Sequence, residues 1–103
     1  MEPIRRYLGE FEAWLLSYGR PSTMRNYDYA IERLLKFFPR KTHPRQFDRM
    51  DVQDYLAARR ASGVTEGTVK IDVVAIRAFW NWMIRERGLR LSNPASQRRD
   101  TFL

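Results

Sequence analysis

The longest uninterrupted helical pattern covers residues 65–87, and it constrains the fold more than any other stretch. No proline occurs there and no glycine follows Gly67, so a single helix of roughly 33 Å can form at about 1.5 Å per residue. Apolar residues recur at spacings of three and four: Val69, Val73, Ile76, Trp80 and Met83, with Val74, Phe79 and Trp82 beside them. Because this apolar stripe is so wide, we expect the helix to be central and covered on several sides.

The first turn of this helix differs from the rest. Thr65 is a suitable N-cap, and Glu66 would face the positive end of the helix dipole. Thr68 and Lys70 follow, so the turn is polar although the shaft is apolar. We therefore expect one end of a core helix to emerge from the protein, and this is where the sequence directs a search for function.

Three shorter helical patterns precede it. The first covers residues 3–18 and ends before Gly19 and Pro21, which favour termination. The second covers residues 22–38, with Ser22 or Thr23 as its predicted cap. The apolar residues of these two helices form one stripe each: Ile4, Tyr7, Leu8, Phe11, Trp14, Leu15 and Tyr18 on the first, and Met24, Tyr27, Ile31, Leu34, Leu35 and Phe38 on the second.

The third pattern covers residues 48–62, between the cap Asp48 and the terminator Gly63. Its predicted inward residues are Met50, Val52, Tyr55 and Leu56. No stretch shows the alternation typical of a β-strand. Four helices with short connections predict a compact all-α domain.

Charge is the most informative part of the composition. The 103 residues carry a formal net charge of +7, and arginine supplies most of the cations. Residues 20–49 are the most basic segment. Arginine suits phosphate and guanine recognition, but many soluble proteins have a basic surface, so charge alone leaves the partner open. The chain has no cysteine, no apolar run of the ~20 residues that a membrane span needs and no signal-peptide core, so we expect a cytoplasmic protein without membrane contact.

Residues for catalysis or metal binding are scarce. His43 is the only histidine and lies in a proline-flanked loop. Neither a nucleophile-elbow sequence nor a glycine-rich phosphate loop occurs. We therefore expect no catalytic residue, no metal and no cofactor, and we do not expect this chain to act as an enzyme by itself.

Two predicted helix starts share one chemistry, at residues 22–26 and 65–70. Each offers unpaired backbone N–H groups, hydroxyls and a cation. Helix N-termini bind phosphate, and their first turns can reach base edges in the major groove of DNA. The simpler interpretation of Ser22 and Thr65 is that they only cap their helices, but two such starts on an arginine-rich chain favour DNA.

The order of residues along the chain also resembles a known family, the core-binding domain of tyrosine recombinases of the phage-integrase group. The matching residues are Ser22, Tyr27, Leu34, Phe37 and Phe38; Asp51, Asp54, Tyr55, Leu56 and Arg59; Gly63; Thr68, Val69, Ala75, Ile76, Arg77, Phe79, Trp80 and Trp82; and Asn93 with Pro94. The resemblance implies a SAM-like fold of four helices in two crossed hairpins over residues 1–92. It also implies that residues 93–103 begin a linker to a separate C-terminal catalytic domain.

In that family the domain is half of a clamp around duplex DNA, so the implied partners are double-stranded DNA, the catalytic domain and further recombinase protomers. A nucleoid association on DNA is implied as well. The implied contacts lie at the starts of the second and fourth helices: Thr23, Arg25, Asn26 and Tyr29, and Thr65, Thr68, Lys70 and Ile71. Ile71 would touch a thymine methyl group, Asp72 would repel phosphate, and Arg77 would either pair with a carboxylate inside the domain or contact DNA.

A second interpretation comes from another class of function. The chain could be a helical protein–protein interaction module on which the basic face is incidental. Exposed apolar residues on the first helix would favour this alternative, and salt-dependent binding to duplex DNA would favour the recombinase domain.

Overall fold

The computed structural model describes residues 1–96, so the tail arginines Arg98 and Arg99 lie outside the described residues. Four α-helices follow one another: α1 (Ile4–Ser17), α2 (Pro21–Phe37), α3 (Arg49–Ala61) and α4 (Glu66–Glu86). A short 3-10 turn at Pro44–Gln46 lies between α2 and α3. No strand occurs within residues 1–96, and the predicted all-α class is confirmed.

The helix ends follow the local signals in all cases but one. The hydroxyl of Thr65 accepts a hydrogen bond from the backbone N–H of Thr68, as predicted for the cap of α4. Asp48 caps α3 and exchanges hydrogen bonds with Asp51 in a capping box. The prediction of a Ser22 or Thr23 cap was wrong: α2 begins at Pro21 and has no side-chain cap. Proline already has the helical φ and lacks the N–H that a cap would satisfy, so it suits this first position.

Helix α4 is central, as its apolar stripe predicted. It packs against α1, α2 and α3. Phe79 and Trp80 are fully buried, and the Trp80 ring meets Phe47 edge-on at 5.4 Å between centroids. From α1, Phe11 stacks on Phe79 at 5.3 Å. Aromatic contacts therefore join α1, α4 and the loop before α3 in one core.

Three residues of the predicted apolar stripes were wrongly expected to be buried. Tyr18 is 66% exposed because α1 ends just before it. Val74 is 45% exposed because it lies at the edge of α4, where surface grooves toward α2 and α3 both reach it. Met50 is 60% exposed in the first turn of α3. Phe47, just before that helix, is buried against Trp80 and occupies the core position instead.

The chain after α4 packs back on the helix. Gly88 adopts φ +66°, which favours glycine and turns the chain at the helix end. The side-chain amide of Asn93 donates to the carbonyl oxygen of Arg77 at 2.9 Å, and Arg77 Nε donates to the carbonyl oxygen of Ala95 at 3.0 Å. Arg77 thus pairs with a backbone carbonyl, whereas we expected a carboxylate or DNA. The start of a linker at residue 93 stays a prediction.

Candidate nucleic-acid interface

The starts of α2 and α4 lie side by side and enclose a shallow groove of about 280 Å³. Four of the eight predicted contact residues line this groove: Thr23, Asn26, Lys70 and Ile71. Ile71 is 52% exposed, and Lys70 has no ion-pair partner among residues 1–96. Residues that lie more than 40 positions apart in the sequence thus form one surface with a cation, an amide, a hydroxyl and an apolar side chain.

The other four predicted residues do not line the groove. Arg25 is exposed, and its guanidinium donates to the hydroxyl of Ser22 at 3.4 Å. Tyr29 is 60% exposed, one turn further along α2. The hydroxyls of Thr65 and Thr68 lie 3.2 Å apart, so each already has a neighbour as part of the α4 cap.

Asp72 is not at this surface, contrary to our expectation that it would repel phosphate. Its side chain is fully buried, and Arg33 of α2 donates to one carboxylate oxygen at 2.8 Å. Arg59 of α3 donates to the other oxygen at 2.9 Å. Because one carboxylate joins two arginines from different helices, it ties α2, α3 and α4 together close to the start of α4.

Burial and the Asp72 carboxylate change the pKa values of Arg33 and Tyr55. Burial lowers the pKa of Arg33, but the hydrogen bond and charge of Asp72 outweigh it and raise that pKa above its usual value. For Tyr55, burial followed by the negative charge of Asp72 raises the pKa of the phenol. Arg33 and Tyr55 therefore keep their ordinary charge at neutral pH.

The other carboxylate near the start of α4 is also paired. Glu66 accepts hydrogen bonds from Nε of Arg60, at 3.0 Å to the nearer oxygen. The pair bridges the turn between α3 and α4 and reduces the repulsion that Glu66 would exert on a phosphate. Sequence reasoning assigned Glu66 only to the helix dipole, because a pair six positions apart across a turn has no helical spacing to reveal it.

Two clusters of charge lie on different helix pairs. The lining of a groove of about 540 Å³ between α3 and α4 includes one carboxylate, Glu66, which is paired with Arg60, and four cations: Arg49, Arg60, Lys70 and Arg77. Between α1 and α2, in contrast, Glu12 lies near Asp28 and Glu32. Burial, a hydrogen bond with Asp28 and the repulsion of both neighbours raise the pKa of Glu12 to about 7. The groove between α3 and α4 therefore has a net positive lining that would attract a polyanion.

The fold defines the class of this protein as a small all-α domain of four helices in two packed pairs, α1 with α2 and α3 with α4. The model of the family described as phage integrase, N-terminal SAM-like domain, matches residues 6–87. The chain belongs to this family, as the sequence resemblance implied, and such a domain is non-catalytic by itself. Neither a comparison with curated proteins nor one with solved structures returned a match.

Two further findings concern ligands and membranes. Among the described residues, no group of histidine, aspartate and glutamate side chains is arranged to hold a metal ion. None of the described helices is both long enough and apolar enough to cross a membrane.

Proposed function

We propose that this domain grips duplex DNA for a site-specific tyrosine recombinase, using the starts of α2 and α4. The observation that carries the proposal is the groove in which Thr23 and Asn26 of α2 meet Lys70 and Ile71 of α4. Membership of the integrase domain family supports a role in recombination. Strand cleavage would belong to a separate catalytic domain of the same protein.

Each groove residue has a role that fits its chemistry. Lys70 would neutralise a backbone phosphate together with the unpaired N–H groups at the start of α2. Asn26 can pair with an adenine edge, and Ile71 can contact a thymine methyl group. Arg25, exposed in the second turn of α2, can read a guanine. Phosphate contacts would orient the domain, and the other side chains would supply sequence preference.

An NMR titration with a 20-base-pair duplex tests the proposal. Because one small domain lacks the second half of the clamp, we expect a dissociation constant on the order of micromolar at low salt. Amide shifts should map to residues 22–29 and 65–72 and disappear at high salt. Shifts confined to the tail after residue 96 would leave only general charge attraction, and the two-helix interface would be wrong.

A substitution separates sequence reading from charge attraction. If Arg25 reads a guanine, Arg25→Ala should cost about 1–3 kcal/mol of binding free energy on the true recombination site only. Arg25→Lys keeps the charge but loses the planar fork, so it should show most of the same loss. An equal loss on every sequence would make Arg25 a phosphate contact.

The interaction module remains a second candidate because apolar side chains are exposed on α1. Leu16 is 48% exposed, and Tyr18, directly after the helix, is 66% exposed. Tyr18 also lines a groove of about 540 Å³ with Trp14 and Trp82. If duplex DNA produced no salt-dependent shifts at all, this surface would become the leading candidate site. Binding to DNA would leave it as an additional contact for another protein.

A further inference from the structure

A second cleft shares no lining residue with the α2–α4 groove. It has a volume of about 520 Å³ and separates the residues around the 3-10 turn from the segment that follows α4. Three arginines line it: Arg45, Arg49 and Arg90. They come from the loop before α3, the first position of α3 and the chain after α4, so only the tertiary fold brings them together.

The charge in this cleft is poorly balanced within the protein. Asp48 is the only acidic residue in its lining, and Oδ1 of that carboxylate accepts from the backbone N–H of Asp51 at 2.9 Å. The side chains of Arg49 and Arg90 make no hydrogen bond or ion pair to any residue between 1 and 96. Three like charges around one cleft create a positive potential that favours a bound anion.

The cleft is also held rigidly. Arg45 donates to the carbonyl oxygen of Arg90 at 3.2 Å and so joins its two walls. Lys41 donates to the carbonyl oxygen of Gln46 at 3.0 Å. On the other wall, Asn93 Nδ2 donates at 3.0 Å to Oδ1 of Asn81 on α4. These hydrogen bonds hold the backbone of both walls, so an anion would need to order mainly the side chains of Arg49 and Arg90.

We infer that this cleft binds a backbone phosphate of DNA, as a second anchor beyond the α2–α4 groove. Arg49 also lines the cationic groove between α3 and α4, which continues to Lys70. Arg90 follows the turn at Gly88, after which the chain packs back on α4, so the cleft lies beside the helix. The domain is 35 Å in its longest dimension, and one turn of duplex is about 34–36 Å. A duplex that follows the cationic groove can therefore present one phosphate to Lys70 and another to the cleft.

The inference rests on the proposed function, and paired charge removals test the two separately. In the 103-residue chain, Arg49→Ala with Arg90→Ala should lower the magnitude of the log–log salt slope for a 20-base-pair duplex by about two. At 50 mM salt we expect the affinity to fall by roughly 10- to 100-fold. The matched control, Arg6→Ala with Lys36→Ala, removes two exposed cations elsewhere and should leave the slope nearly unchanged.

The outcomes separate the inference from the proposed function. An unchanged slope in the Arg49/Arg90 pair, together with a lower slope for Lys70→Ala, overturns the second anchor and leaves the two-helix interface intact. If neither the Arg49/Arg90 pair nor Lys70→Ala lowers the salt slope, the second anchor and the two-helix interface are both contradicted. Circular dichroism and thermal unfolding of the Arg49/Arg90 pair should match the parent chain, since neither guanidinium has a structural partner among the described residues.

The arginine side-chain NMR signals give an independent measurement that needs no substitution. The Nε–Hε signals of Arg49 and Arg90 should shift on addition of duplex and return at high salt. If they shift with inorganic phosphate but not with duplex, the cleft takes small anions only and the inference is wrong.

Discussion

Two carboxylates of this domain lie in opposite electrostatic surroundings. Asp72 on α4 is fully buried between two arginines, at 2.8 and 2.9 Å. Glu12 on α1 instead lies near two further carboxylates, Asp28 and Glu32, and its pKa is raised to about 7. One carboxylate thus connects three helices, and the other is held partly protonated at neutral pH by burial and by its acidic neighbours.

The comparison of Asp72 with Glu12 shows that burial decides which carboxylates contribute to the surface charge that a polyanion meets. The buried Asp72 takes no part in the surface charge, so the start of α4 stays positive despite an acidic residue in its second turn. Exposed acidic residues also occur on α3 and α4, but the one in the first turn of α4, Glu66, is paired with Arg60. A duplex would therefore meet positive charge mainly at cations such as Lys70, which has no ion-pair partner among residues 1–96.

Removal of the Asp72 carboxylate should have the largest effect on stability. Asp72→Ala leaves Arg33 and Arg59 without their partner, and we expect it to lower the free energy of unfolding by about 3–5 kcal/mol. Urea denaturation measures this loss. The matched control is Asp54→Ala, an exposed position on α3, which should change stability by less than about 0.5 kcal/mol. If Asp72→Ala lowered the free energy of unfolding by less than about 1 kcal/mol, the network of Asp72, Arg33 and Arg59 would not stabilise the fold.

At the α2–α4 groove, Lys70→Ala should weaken DNA binding roughly 10-fold at 50 mM salt. It should also lower the magnitude of the log–log salt slope by about one. The loss should be similar on all sequences, because a lysine that contacts phosphate reads no base. Fluorescence anisotropy at several salt concentrations measures both quantities. Arg6→Ala, on the exposed face of α1, serves as the control, and an equal effect there would show that only total charge matters.

In the acidic cluster of Glu12, Asp28 and Glu32, Glu12→Gln should have the smallest effect, a change in stability that depends on pH. The folded pKa of about 7 lies above the ordinary value of 4.5, so the protonated form favours folding below pH 4.5. That contribution is lost as the pH rises through 7, where Glu12 ionises beside Asp28 and Glu32. After a discount for solvent screening, Glu12→Gln should stabilise the domain by about 1 kcal/mol at pH 8.

Thermal unfolding at pH 4.5 and pH 8 checks this expectation. The variant and the parent chain should differ little at the lower pH, where Glu12 is protonated in the folded state. A stabilisation of equal size at both pH values would show that shape, and not charge, accounts for it.

Much of the fold could be predicted because the signals for helices are local. Helix α4 was recognised from its apolar spacing, and Thr65 and Asp48 were recognised as caps from residue type and position. The family resemblance came from the order of residues over nearly the whole chain, and the family match over residues 6–87 confirms it. The eight DNA-contact residues themselves stay predictions, although four of them meet in one groove.

The sequence by itself determined the four helices, their order and the central place of α4, because apolar periodicity and end signals depend on near neighbours in the chain. Only the tertiary structure decided which charges remain at the surface. Asp72 pairs with Arg33 and Arg59, which lie 39 and 13 positions before it. Arg77 donates to the carbonyl oxygen of Ala95, 18 positions after it. Such partners depend on which helix faces meet, and no local pattern specifies that meeting.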